Sequence, residues 1–209
     1  ILGRKDEPLA IGNLERFAVD RFLYNGLWRR GWDGERLRSI IQERGIAVHI
    51  LRKGDVLALG RGYELQVLHP QDPARWGGSN DGSLCLRFLG RGKGLALIPG
   101  DLQISGLEEL VSGKAPLRAK ALIVPHHGSR TSCLSDFYSR VEPSLAAVSC
   151  GYLNHFHFPH QEVRREMEAR GVPLYSTAKQ GMVRLSWPGR GGGMRVGTGS
   201  GRTKIEAGD

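Results

Sequence analysis

A chain of 209 residues with 40% apolar and 7% aromatic side chains is long enough to bury one sizeable core and is not the composition of a disordered polymer. No apolar run approaches the length needed to cross a bilayer and no signal peptide is visible at the start. The three cysteines, odd in number and without Cys-x-x-Cys spacing, argue against a disulfide framework or a zinc knuckle.

Taken in chain order, residues 19–24 read as a strand and residues 34–44 as a helix with Leu37, Ile40 and Ile41 on one face. Residues 47–51 form the next strand, closed by Lys53-Gly54-Asp55, an order that is βαβ-like. Strands follow at 63–68, 84–89, 95–98, 121–124, 146–150, 173–176 and 182–187. Helices are expected after Asp101 (102–112), around 134–141, and after His160 (161–170). Cys85 and Cys150 fall in apolar segments and read as small buried side chains. From Pro188 onward the chain is Gly-rich without apolar periodicity, so residues 189–209 are expected to be a flexible tail behind one domain, residues 1–188.

Three segments carry chemistry. Pro125-His126-His127-Gly128-Ser129 follows the apolar run Ala121-Leu122-Ile123-Val124, so two imidazoles sit just past a strand end, where a cleft would lie. The apolar strand ending at Ile98 leads through a Pro-Gly turn to Asp101, either a metal ligand or an ordinary N-cap carboxylate. Asn154-His155-Phe156-His157-Phe158-Pro159-His160 holds three of the seven histidines. His160, fixed behind proline at a helix start, is the best ligand candidate of the three. His155 and His157 read equally well as surface residues. The formal charge of +9 favours polyanions. Arg29, Arg30, Arg36 and Arg38 flank Trp28 and Trp32, and Arg164, Arg165 and Arg170 lie beside His160; they read as a phosphate-tracking surface or as solvated helix faces.

Together these segments resemble the metallo-β-lactamase-like domain at the C-terminal end of the ComEC family of DNA-internalisation (competence) proteins. The order of motifs carries the likeness: Lys53-Gly54-Asp55, Glu64-Leu65-Gln66-Val67-Leu68-His69-Pro70, Asn80-Asp81-Gly82-Ser83-Leu84, the His-His-Gly-Ser turn, Glu142-Pro143 with Ala147-Val148-Ser149, and residues 151–163. It covers about residues 11–187. The resemblance implies an αββα sandwich of α/β class with mixed sheets, lacking the family's first strands. It also implies a divalent-metal site, zinc or manganese, with two ions in a complete parent. Asp101, His126 and His160 are carried over as catalytic residues and metal ligands, with His127 as a further ligand. Asn80, Ser83, Ser129 and Arg130 are assigned to substrate.

The family's upstream His-x-(Asp or His)-x-Asp-His motif has no match. Lys5-Asp6-Glu7-Pro8-Leu9-Ala10 stands in its place, where only Glu7 is able to bind a metal, and no histidine precedes His49. Because the chain begins with Ile1, it reads either as a fragment of an active protein or as a metal-poor relative. The expected function is metal-dependent hydrolysis of DNA during uptake through a membrane channel. The alternative is a catalytically inactive module that binds DNA or packs on the channel, and a hydrolase of small thioesters or lactams is a third reading. Expected partners are DNA, as a single strand or as duplex at entry, and the channel portion of the same polypeptide. No small-molecule organic cofactor is expected. Localisation would be the cell membrane through the parent protein, this domain itself being soluble.

Overall fold

The computed structural model describes residues 7–28, 31–77, 79–188, 193–199 and 201–204, without the side chains of residues 7–10 and 201–204. An opening helix α1 (Glu7–Arg16) leads to β1 (Arg21–Tyr24), α2 (Trp32–Glu43) and β2 (Ala47–Ile50). β1 and β2 pair in parallel, Phe22 opposite Val48. Phe22, with Leu37, Ile40, Ile41 and Leu14, forms a small core between this ribbon and the two helices. The apolar spacing expected of α2 is the face that is buried.

A seven-stranded mixed sheet follows, in the order β3-β4-β5-β6-β7-β8-β9. Its strands are β3 (Val56–Gly60), β4 (Tyr63–His69), β5 (Cys85–Gly90), β6 (Lys93–Ile98), β7 (Ala121–Ile123), β8 (Leu145–Val148) and β9 (Leu174–Ser176). β3 to β6 pair antiparallel and β6 to β9 in parallel. The parallel half needs crossovers, supplied by α3 (Ile104–Ser112), α4 (Ser135–Val141) and α5 (Gln161–Ala169).

Alternation along the strands sorts the faces. Cys85, Leu97, Leu122, Ala146 and Leu174 meet Leu107 and Leu110 of α3, Phe137 and Val141 of α4, and Val163 and Met167 of α5. The opposite face is divided. Phe88, Ala96, Ala121 and Leu145 pack on a second sheet, while Val67, Leu86 and Ile98 pack on Leu23 and Leu51 of the β1–β2 ribbon. Helix, sheet, sheet and helix are thus stacked through the ribbon, and the mixed α/β class expected from the sequence is observed. A short helix α6 (Thr177–Gln180) precedes the second sheet, β10 (Val183–Ser186), β11 (Arg195–Thr198) and β12 (Gly201–Lys204), which is antiparallel throughout.

That second sheet corrects the reading of residues 189–209 as a flexible tail. β11 pairs with β10, and Met194 and Val196 are 2% and 1% exposed against the large sheet. Two apolar residues separated by one position suffice to anchor a short strand, although they are too few to stand out in a Gly-rich stretch. Residues 189–192 and 205–209 lie outside the described residues. β3 and α1 were also missed; β3 carries one half-buried residue in an exposed strand, and α1 coincides with the segment read as a degenerate motif. Cys85 is buried as expected, which pushes its thiol pKa up, whereas Cys150 is only half-buried. Among the described residues no helix is long and apolar enough to cross a membrane.

Candidate metal and substrate site

The site is built where three parallel strands end. After β7 the chain makes a tight turn, Pro125–Gly128, in which His126 (φ 47°) and His127 (φ 56°) both adopt left-handed backbone. Such conformations cost of order 1 kcal/mol for a non-glycine residue, so the surroundings must enforce them. They do so on both sides. His126 N–H donates to the Gly100 carbonyl at 3.0 Å, and the buried Ser132 hydroxyl donates to the Pro125 and Ser129 carbonyls. Gly128 (φ 79°) lies against Pro159, and its carbonyl accepts from His160 N–H at 2.8 Å.

Asp101 follows β6 through Gly100 (φ 62°), where an added Cβ would meet Ser83 at 3.0 Å. Its N–H donates to Ser83 Oγ at 3.3 Å. The N-cap role open to Asp101 is taken instead by Asp81, whose Oδ1 accepts from Gln103 N–H and Gly106 N–H at 2.8 and 3.0 Å. Sequence reading missed Asp81 because its partners lie more than twenty positions away. With α3 capped from outside, the Asp101 carboxylate is left to face the histidine turn.

The histidines divide sharply. His127 Nδ1 donates to the Ser149 carbonyl at 2.8 Å, which leaves Nε2 as the nitrogen facing Asp101 Oδ1, 3.5 Å away. His126 is held at both nitrogens: the Asn80 amide donates to Nε2 at 3.2 Å, and Thr131 Oγ1 lies 3.2 Å from Nδ1. His160 Nδ1 accepts from Arg130 N–H at 2.9 Å, so in the neutral ring Nε2 carries the hydrogen and is a donor. Phe158 occupies the space among them, its ring centroid 6.2, 6.2 and 5.1 Å from those of His126, His127 and His160.

The residues assigned to substrate fall in different places. Asn80 is spent on His126, and Ser83 on Asp101 and on the His69 ring. Ser129 is buried and bonds Thr131, while Arg130 is exposed at the rim. His155 and His157 lie on the exposed loop before Phe158. Of the flanking arginines, Arg36 pairs with Glu15, Arg170 with Glu166, and Arg38 lies over the Trp28 ring; Arg29 and Arg30 lie outside the described residues.

A gap of 3.5 Å between two donors is of the size that one divalent ion spans with ligands at about 2.1 Å on either side. Catalytic zinc sites nevertheless use three protein ligands and structural sites four. Among the described residues no group of three or more His, Cys, Asp or Glu side chains is placed to hold a metal ion. Glu7 opens α1, but its side chain lies outside the described residues. Asp101 and His127 are therefore two donors of a cage that the described residues do not complete, and a two-ion centre does not fit them.

No protein-family profile matches the chain. It is 29% identical over 164 residues, 78% of its length, to ComE operon protein 3 of Bacillus subtilis, of which this covers 20%. It is 33% identical over 133 residues, 63% of its length, to Competence protein ComA of Neisseria gonorrhoeae, of which this covers 19%. The chain thus spans about a fifth of the length of the curated relatives it matches. A solved metal-dependent hydrolase from Parabacteroides distasonis superposes over 79% of this chain and 80% of its own at 11% identity and a TM-score of 0.44, too slight a likeness to bear on fold or function. The resemblance read from the motifs holds along most of the chain: it is similar in sequence to the competence proteins of the ComEC type.

Proposed function

We propose that this chain is the DNA-handling domain of a competence protein, receiving a DNA strand at the strand-end site that carries Asp101, His127 and His160 and holding it without cutting it. One observation carries the reading: Asp101 Oδ1 and His127 Nε2 face each other with no third metal ligand among the described residues, while His126 and His160 are engaged elsewhere. What these residues can do is bind. A neutral His160 offers an N–H to a phosphate oxygen, Arg130 offers a charge at the rim, and the formal charge of +9 supplies long-range attraction.

The hydrolytic reading is favoured by His127 Nε2 facing Asp101 Oδ1, an arrangement suited to a shared cation. It needs ligands besides these two. The membrane channel belongs, on this proposal, to the rest of a ComEC-like parent.

Fluorescence anisotropy of a labelled oligonucleotide with the purified chain tests the proposal. Affinity should fall steeply as salt rises, the signature of counterion release. Asp101→Ala should leave it intact or raise it, since a negative charge leaves the site. Absence of salt-dependent binding would sink the DNA reading. Cleavage by the wild type that Asp101→Ala abolishes would replace holding by hydrolysis.

A further inference from the structure

The loop between β8 and α5 presents aromatic side chains to solvent at the edge of the site. Tyr152 is 79% exposed, Leu153 85% and Phe156 41%. Burial does not explain this presentation, and neither does a slack backbone. Asn154 ties the loop across its base, donating from Nδ2 to the Gly151 and Phe158 carbonyls at 2.9 and 3.0 Å, while its Oδ1 accepts from Phe158 N–H at 2.8 Å. His157 N–H closes the turn on the Asn154 carbonyl at 3.0 Å, and Leu153 and His157 hold left-handed backbone (φ 51° and 57°). A loop braced in this way has its backbone fixed in place.

Those rings run into the site. His155 lies 3.8 Å from Phe156 between centroids, Phe156 stacks on Phe158 at 5.2 Å and 16°, and Phe158 stacks on His127 at 6.2 Å and 24°. Phe156, Phe158 and His127 thus form a near-parallel series of π-faces leading from solvent to the Asp101–His127 pair, with His155 tilted by 40° on Phe156 and Tyr152 exposed on the same loop. Cations follow in the chain: Arg130, whose backbone N–H holds His160, Arg164, whose Nε donates to the Pro159 carbonyl at 2.8 Å, and Arg165, exposed beside it on α5. Aromatic faces beside basic side chains are the chemistry of unstacked nucleobases on a phosphate chain, because every base has a π-face and successive phosphates need countercharge. A duplex keeps its bases stacked inside and offers such a loop only its backbone.

We propose that Tyr152 and Phe156 form a stacking platform for the bases of a single nucleic-acid strand, guiding the strand toward the Asp101–His127 pair and favouring it over duplex. This rests on the DNA-handling function proposed above. The competing occupant of an exposed Tyr-Leu-Phe surface is a lipid bilayer, which the test includes.

The test uses the whole chain, a labelled thymidine oligomer, an abasic oligomer of the same length, and anionic phosphatidylglycerol vesicles. The abasic strand keeps the phosphates and lacks the bases. Tyr152→Ala and Phe156→Ala should each weaken thymidine-strand binding about tenfold and leave abasic-strand binding unchanged. Tyr152→Phe and Phe156→Trp should retain wild-type affinity, and unchanged near-ultraviolet dichroism shows that the alanine variants are folded. Equal loss on both strands, or no loss on either, overturns the platform. So does a phenotype confined to the vesicles. If the wild type binds thymidine and abasic strands equally, the DNA-handling function stands and the platform falls; if it binds neither, both fall.

Discussion

His127 Nε2 lies 3.5 Å from Asp101 Oδ1 while its Nδ1 donates to the Ser149 carbonyl, so an imidazole nitrogen and a carboxylate face each other at the ends of neighbouring parallel strands. A proton, a water or a cation can be shared between them. The adjacent His126 cannot take this role as placed, because Asn80 and Thr131 engage both its nitrogens. Hydrogen bonding thus leaves His127, and not His126, as the histidine of the turn that faces Asp101.

Two protein donors hold a divalent ion weakly, and folding energy then owes little to metal. Adding EDTA should leave the thermal midpoint of the chain where it is. A fall of several degrees would mean that further ligands complete a tight centre.

Gly128 joins the histidine turn to the Pro159–His160 segment. A Cβ there would lie 2.4 Å from Pro159 Cβ and 2.9 Å from its Cα, on a backbone at φ 79°. Gly128→Ala should destabilise by about 3 kcal/mol, as expected of a steric clash combined with strain at a special backbone position. Denaturant unfolding measures it, and a loss under about 0.5 kcal/mol, the range of ordinary surface changes, would show that the two segments do not meet this way.

His69 ends β4 with 0% side-chain exposure, Nδ1 donating to the Ser83 carbonyl at 3.1 Å and Nε2 3.7 Å from Glu109 Oε1. Burial lowers its pKa from 6.5; the Ser83 carbonyl, Glu109 and Asp81 pull it up, Lys53 pushes it down, and burial outweighs the rest. The folded chain therefore binds fewer protons here than the unfolded chain. The contribution is complete above pH 6.5 and is lost as pH falls from there through the folded value. The thermal midpoint should drop on acidification below this point, and His69→Gln should flatten that drop. An identical pH profile for the two proteins would contradict the assignment.

Met194 packs against the large sheet next to Val196. Met194→Ala should cost about 2 kcal/mol, at the low end for a buried methionine. A flexible tail would lose nothing, and a urea titration separates the two cases.

Legibility followed burial. The strand at 121–124 was readable as a continuous apolar run and α2 because its apolar residues repeat with the period of a buried helix face, and the observed β7 and α2 lie within two residues of those limits. β3 and β11 were not, since one is mostly exposed and the other hides its anchors among glycines. At the site, the motifs located Asp101, His126, His127 and His160, but their roles depend on which ring nitrogen meets which donor. Asn80, Arg130 and Ser149 decide that from distant positions, through contacts that no local spacing encodes. Phe158 was quoted only as a neighbour, although its ring sits among all three histidines.

On the function proposed above, these residues hold DNA and do not by themselves cut it. Incubating the purified chain with an end-labelled single strand and saturating manganese, then with zinc, tests it most directly on a denaturing gel. The strand should stay intact under conditions where anisotropy shows it bound. Shortening of the strand that Asp101→Ala or His127→Ala abolishes would contradict it and establish a working metal centre.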